Sequence, residues 1–181
     1  MRYEFQGGCV KKRWLPIGLA IIATAILVWA NLPSNPLPTN AHADFILVKK
    51  SERTLTLFHN GIPLKSYLIA VGRGPFGKKE KEGDNRTPEG TYTIDSRNDK
   101  SFYHKSLRIS YPNAHDILNS QKKGCYPGGA IYLHGVRWGF GWLGKLHRRI
   151  NWTRGCLAVT NLEIEEIYNA VPNGTRIEII P

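Results

Sequence analysis

The sequence predicts a mainly β domain with one or two helices packed on it, behind an apolar N-terminal segment. Three observations predict it. From residue 45 onward, short apolar or alternating runs are separated by turn residues. One capped amphipathic stretch lies near the C-terminus. An uncharged apolar stretch comes after a basic cluster near the start.

The apolar segment comes first. Lys11, Lys12 and Arg13 precede the apolar run Trp14 to Ala30, and no Asp, Glu, Lys or Arg then appears before Asp44. A basic flank before an apolar run is expected to be an export signal or a membrane anchor with its N-terminus in the cytoplasm. Leu15 to Leu32 is 18 residues, the lower limit for spanning a bilayer. Ala41-His42-Ala43 has the form of a signal-cleavage site but lies well past the apolar core, so residues 1–32 are expected to stay as an uncleaved anchor, with cleavage the alternative. Either way, the rest of the chain is expected outside the cytoplasm. Pro33, Pro36 and Pro38 among Asn, Ser and Thr make residues 33–43 an expected extended linker. The folded domain is then 44–181.

Within it, Phe45-Ile46-Leu47-Val48 is a short strand. Thr54 to Phe58 alternates polar and apolar and meets Asn60-Gly61, the turn pair in which both residues take positive φ. Ser66 to Val71 is its expected return strand. Gly90 to Ile94, Ala130 to Leu133 and Arg176 to Ile180 add three more. Thr160-Asn161-Leu162-Glu163 has capping-box form, and Ile164, Ile167, Tyr168 and Val171 make a helical stripe ended by Pro172 and Asn173-Gly174.

The domain carries 21 Lys+Arg against 13 Asp+Glu, a net charge of +8. Such a basic domain suits anionic lipid, an acidic wall polymer or nucleic acid. The charges are scattered without a nucleic-acid motif, so nucleic acid is not the expected partner. Three cysteines do not make a disulfide scaffold. Cys9 lies ahead of the apolar run, and Cys125 sits in a turn-like segment with no evident role.

Cys156 is different. It comes directly after Thr153-Arg154-Gly155 and opens an apolar run, while His134-Gly135 ends another. A thiol and an imidazole distant in sequence are the minimal kit for a nucleophile and its base. A buried apolar thiol is the competing role for a lone cysteine. Two long excursions flank these residues. Gly72 to Gly90 is polar and rich in Gly and Pro, and lacks the spacing of a phosphate-binding loop; it offers Asp84, Arg86 and Thr87 as groups ordering the site or as a solvated hairpin loop. Val136 to Trp152 crowds Trp138, Phe140, Trp142, His147, Arg148 and Arg149 into a lid, a substrate wall or a small satellite core. No Cys-x-x-Cys or His-x-x-x-His spacing occurs, so neither metal nor cofactor is expected.

His134-Gly135, seventeen residues, then Thr153-Arg154-Gly155-Cys156 resembles the signature of the L,D-transpeptidase (YkuD-type) catalytic domain. Gly83 to Gly90 is similar to that family's Gly-Asp-x-x-Thr-Pro-x-Gly segment, and Lys105 to Pro112 to its next landmark. The resemblance implies a β-sandwich-like catalytic domain over 44–181, a periplasmic or envelope location, and peptidoglycan stem peptides as substrate. It implies Cys156 as nucleophile, His134 as base, and Gly155 and Gly135 as oxyanion and orienting groups. Thr153, Arg154, Trp138, Trp142 and Arg86 are the implied substrate-binding residues. Two departures stand out. Arg154 replaces the family's histidine, and Ala158 its arginine after the cysteine. Thr-x-Gly-Cys-x-Ala is closer to a Gram-negative periplasmic subgroup that includes an enzyme detaching a lipoprotein from peptidoglycan. The acceptor is therefore open between an amine and water, a wall-linked lipoprotein is a possible partner, and a non-catalytic wall-binding module is the alternative of another class.

Overall fold

The structure is a computed structural model that describes residues 15–181. One eight-stranded sheet organises it: β1 (Phe45–Lys49), β2 (Thr54–His59), β3 (Ile62–Leu68), β4 (Gly90–Ser101), β5 (His104–Ile109), β6 (Tyr132–His134), β7 (Leu157–Ala158) and β8 (Arg176–Ile180). Their order across the sheet is β3-β2-β1-β8-β4-β5-β6-β7, with β1/β8 and β6/β7 parallel.

Local chemistry explains most of the strands. β1 buries Ile46 and Val48 and turns its other side chains outward, as a period of two requires. Asn60 and Gly61 both take positive φ (49° and 78°) and close the β2–β3 hairpin. The return strand begins at Ile62, earlier than the apolar run suggests, and a register shift at Leu57/Phe58 accommodates it. β5 escapes sequence reading because Lys105 and Arg108 dilute its pattern, yet Ser106, Leu107 and Ile109 are buried.

The sheet is not two separate layers. It curls until its ends meet: just past β3, Ala70 exchanges both backbone hydrogen bonds with Ala158 (2.8 Å each), and Gly72 bridges Thr153. This corrects the sandwich-like expectation: a single curled sheet wraps the core, and its closure draws the first polar excursion up to β7.

Two helices cover the domain. α2 (Ala114–Lys122) starts at a capping box made by Asn113 and Asp116, and α3 (Asn161–Ala170) at the one made by Thr160 and Glu163. α3 lies on β5 and buries Ile164 and Ile167 completely, about 1.5–3 kcal/mol each. Ahead of the domain, α1 (Leu15–Asn31) is 17 residues long. Among the described residues no helix is long and apolar enough to cross a membrane. The basic flank, Lys11 to Arg13, lies outside the described residues. The linker is not free over its whole length. Leu37 and Ala41 pack on the core, and Ala43 is fully buried, its N–H donating to Ala170 O (2.8 Å).

Candidate active site

β6 and β7 bring the thiol and imidazole together. In their parallel register Leu133 faces Leu157 and His134 faces Ala158. Because side chains alternate, Cys156 falls on His134's face, a diagonal neighbour across adjacent strands. Both open into one cavity of about 630 Å³, with Tyr103, Tyr132, Trp152, Thr153, Arg73 and Arg154 among its walls.

The turn that presents Cys156 is built by Gly155 and Thr153. Gly155 has φ +124°, and a Cβ there would sit 2.7 Å from Arg86 O, so a side chain is excluded twice over. Thr153 Oγ1 accepts from Gly155 N (3.2 Å) and donates to Cys156 O (2.7 Å). The Gly155 N–H is thereby engaged within the turn and is not free to act as the oxyanion donor expected of it. The thiol itself donates to Ala130 O (3.7 Å), and the Tyr132 N–H favours its thiolate form.

His134 is almost wholly buried, and its Nδ1 lies 2.6 Å from Gly135 O. A carbonyl can only accept, so Nδ1 carries the proton and Nε2 is left with its lone pair. Gly135 is packed too closely for any side chain: a Cβ would meet Asn161 Oδ1 at 2.8 Å. Two rings hold the imidazole, Tyr103 at 4.4 Å and Trp152 at 5.8 Å between centroids. Trp152 Nε1 in turn donates to His147 Nδ1 (3.3 Å).

Burial sets the resting protonation states. It pushes His134 down to about 4, only partly opposed by the Gly135 bond. It pushes Cys156 up, against the Tyr132 N–H and the Lys79 charge, which favour the thiolate. The pair therefore rests as neutral thiol and neutral imidazole.

Arg73 is a wall residue that sequence patterns did not single out. Its N–H donates to Thr153 O (2.9 Å), a consequence of the sheet closure. Arg73 and Arg154 are both exposed, and among the described residues neither pairs with a carboxylate. The other expected substrate contacts lie elsewhere. Arg86 is directed into the first excursion, with Nη1 3.4 Å from Lys78 O. Trp138 and Trp142 are 81% and 58% exposed and line no part of the cavity that holds Cys156 and His134. Tyr103 and Trp152 provide the aromatic wall. Trp152, beside Thr153, was within reach of sequence reasoning; Tyr103, on the β4–β5 turn, needed the strand order.

Residues 43–179 match the model of the L,D-transpeptidase (YkuD) catalytic domain. This chain belongs to that family. It is 32% identical over 133 residues to the provisional L,D-transpeptidase YafK of Escherichia coli K12, covering 70% of this chain and 46% of YafK. The chain thus spans about half the length of the curated relatives it matches. Among solved structures it is similar to the helical cell shape determining protein Pgp2 of Campylobacter jejuni (TM-score 0.59, 22% identity, 86% of this chain and 54% of that one). It is also similar to Bd1075 of Bdellovibrio bacteriovorus (TM-score 0.54, 26% identity, 83% and 52%).

Both of this chain's departures from the L,D-transpeptidase pattern can be located. Ala158 is fully buried in the sheet closure, hydrogen-bonded to Ala70. The cavity's cations without a carboxylate partner among the described residues are Arg154, on the turn of Cys156, and Arg73, delivered by the opposite end of the sheet.

Proposed function

We propose that the chain is a thiol-dependent acyltransferase of the cell envelope, acting on peptidoglycan stem peptides. What carries the proposal is that Cys156 and His134 share one cavity, with the Nδ1 proton committed to Gly135 O. That leaves His134 Nε2 free to act as base. It takes the thiol proton as Sγ attacks the carbonyl of the stem peptide's L-centre, and returns it to the departing amine of D-alanine. The C–N bond breaks, a thioester forms, and an amine or water then resolves it. Tyr132 N–H and Cys156 N–H are the proposed oxyanion donors, worth roughly 3–4 kcal/mol each. Arg73 and Arg154, without a carboxylate partner among the described residues, suit the substrate's carboxylate.

α1 is the proposed membrane anchor. Its large apolar side chains, from Ile17 to Trp29, are exposed along its whole length, which calls for apolar surroundings. Seventeen residues extend about 26 Å at the α-helical rise.

Incubating the protein with muropeptides and weighing the products tests the function. Crosslinked dimers signify transpeptidation; shortened or lipoprotein-free stems signify hydrolysis. Binding to sacculi without any product, equal in wild type and Cys156→Ala, would leave only a wall-binding module.

A further inference from the structure

We propose that the segment Val136 to Ile150 is a membrane-docking surface: it rests on anionic phospholipid beside α1 and fixes the catalytic cavity against the bilayer. The proposal rests on α1 being the anchor.

The first observation is physical continuity. The last turn of α1 is built into this segment. Ala30 is 1% exposed, and a Cβ on Gly144 would lie 2.3 Å from Ala30 O, so glycine alone permits the approach. Asn31 Nδ2 donates to Trp142 O (2.8 Å), and Lys145 Nζ lies 5.8 Å from the Trp29 ring. Wherever α1 leaves the lipid, this segment is at headgroup level. The linker gives no slack, because Leu37 and Ala41 pack on the core and Ala43 is buried in it.

The second observation is composition. Trp138, Phe140, Trp142 and Ile150 turn outward, and Phe102 beside them is exposed as well. Rings facing outward among basic residues match a headgroup layer, where amphipathic aromatics and cations both find partners. Arg137, stacked 4.9 Å above Phe102, Lys145 and Arg149 supply the cations. From Gly135 to Leu162 there is no Asp or Glu. A surface so one-sided in charge selects anionic lipid over a mixed-charge protein partner.

The third is position. Behind the exposed rings lies an apolar groove of about 430 Å³ formed by Val136, Phe140, Leu143, Leu146 and Ile150, and closed by Trp152. Trp152 is also the ring that holds His134. Lipid under the segment therefore sits one side chain away from the catalytic base.

The test uses the full chain in nanodiscs with and without phosphatidylglycerol, both containing acyl-brominated lipid that quenches nearby tryptophan. The emission of Trp138 and Trp142 is the difference between the parent chain and Trp138→Phe/Trp142→Phe; that of Trp29 is obtained from Trp29→Phe. The expected result is strong quenching of Trp29 in both discs, and roughly twofold greater quenching of the Trp138/Trp142 difference in anionic discs, relieved by salt. Unquenched Trp29 would remove the anchor reading, and this proposal with it. Quenched Trp29 with an unquenched Trp138/Trp142 difference overturns the docking alone, as does self-association of the protein that shields those two rings from lipid.

Discussion

The two long excursions that flank Cys156 and His134 are opposites in construction. In the first, Gly72 to Gly90, polar groups are tied inward. Asp84 accepts from the backbone N–H groups of Glu80 (2.8 Å), Lys81 (3.1 Å) and Arg86 (3.0 Å) and from Lys79 Nζ (2.8 Å). Lys50 Nζ reaches Gly77 O, Thr87 O and Glu89, and Thr87 Oγ1 accepts from Gly72 N. In the second, Val136 to Trp152, the anchorage is confined to a few points. Arg148 Nη1 donates to Leu68 O (2.7 Å) and Glu163, Val136 N donates to Asn161 Oδ1 (2.8 Å), and Trp138, Phe140 and Trp142 face out. Length and glycine content therefore do not tell a scaffold from a surface. A dense network of inward hydrogen bonds preorganises the cavity wall that carries Arg73, whereas outward rings on a few fixed points make a contact surface.

Substitutions put this contrast at risk. The costliest should be at the fixed point of the second excursion. Glu163→Ala leaves the Arg148 guanidinium buried without its carboxylate and removes half of the α3 capping box, at a cost of about 3–5 kcal/mol in denaturant unfolding. Asp84→Ala strands three backbone donors and Lys79, and should cost about 2–3 kcal/mol. Arg73→Ala should leave stability alone and lower kcat/KM on stem peptides about tenfold, or about 1.4 kcal/mol. Trp142→Ala should change stability by less than about 0.5 kcal/mol. A Trp142 variant costlier than the Asp84 variant would invert the contrast.

Acid separates the two regions as well. Burial holds His134 and His147 down at about 4, against an ordinary value near 6.5. The folded state thus binds fewer protons than the unfolded one between those limits. Their contribution is complete above about pH 6.5 and is lost as pH falls towards 4. Burial would raise Asp84, but Lys79 and the three backbone N–H groups hold it below the usual carboxylate range. Its contribution is present above that range and is lost only at lower pH. Unfolding free energy measured against pH should show a loss between about 6.5 and 4 that shrinks in His147→Gln. A curve flat to pH 4 would contradict the buried neutral imidazoles.

Much of the fold was legible because its causes are local. Asn60-Gly61 dictates the hairpin, Thr160 and Glu163 start α3, and Arg176 to Ile180 form β8 over the predicted residues. The pairing of Cys156 with His134 in one cavity was legible because thiol, imidazole and their glycines carry chemistry in their identity. Arg73 and Tyr103 were not, because only the Ala70–Ala158 closure and the β4–β5 turn bring them to the cavity. Trp138 and Trp142 drew attention as aromatics between two reactive groups, yet both stay exposed, Trp142 on the short helical turns hinged at Gly144 and Trp138 just ahead of them.

The most direct test of the thiol mechanism is the intact mass of the protein after exposure to a carbapenem-type acylating agent, with the adduct located by peptide mapping. We predict a single adduct on Cys156 in the parent chain, and none in Cys156→Ala under the same conditions. An unmodified parent chain, or an adduct on Cys125 with Cys156 untouched, would contradict that mechanism.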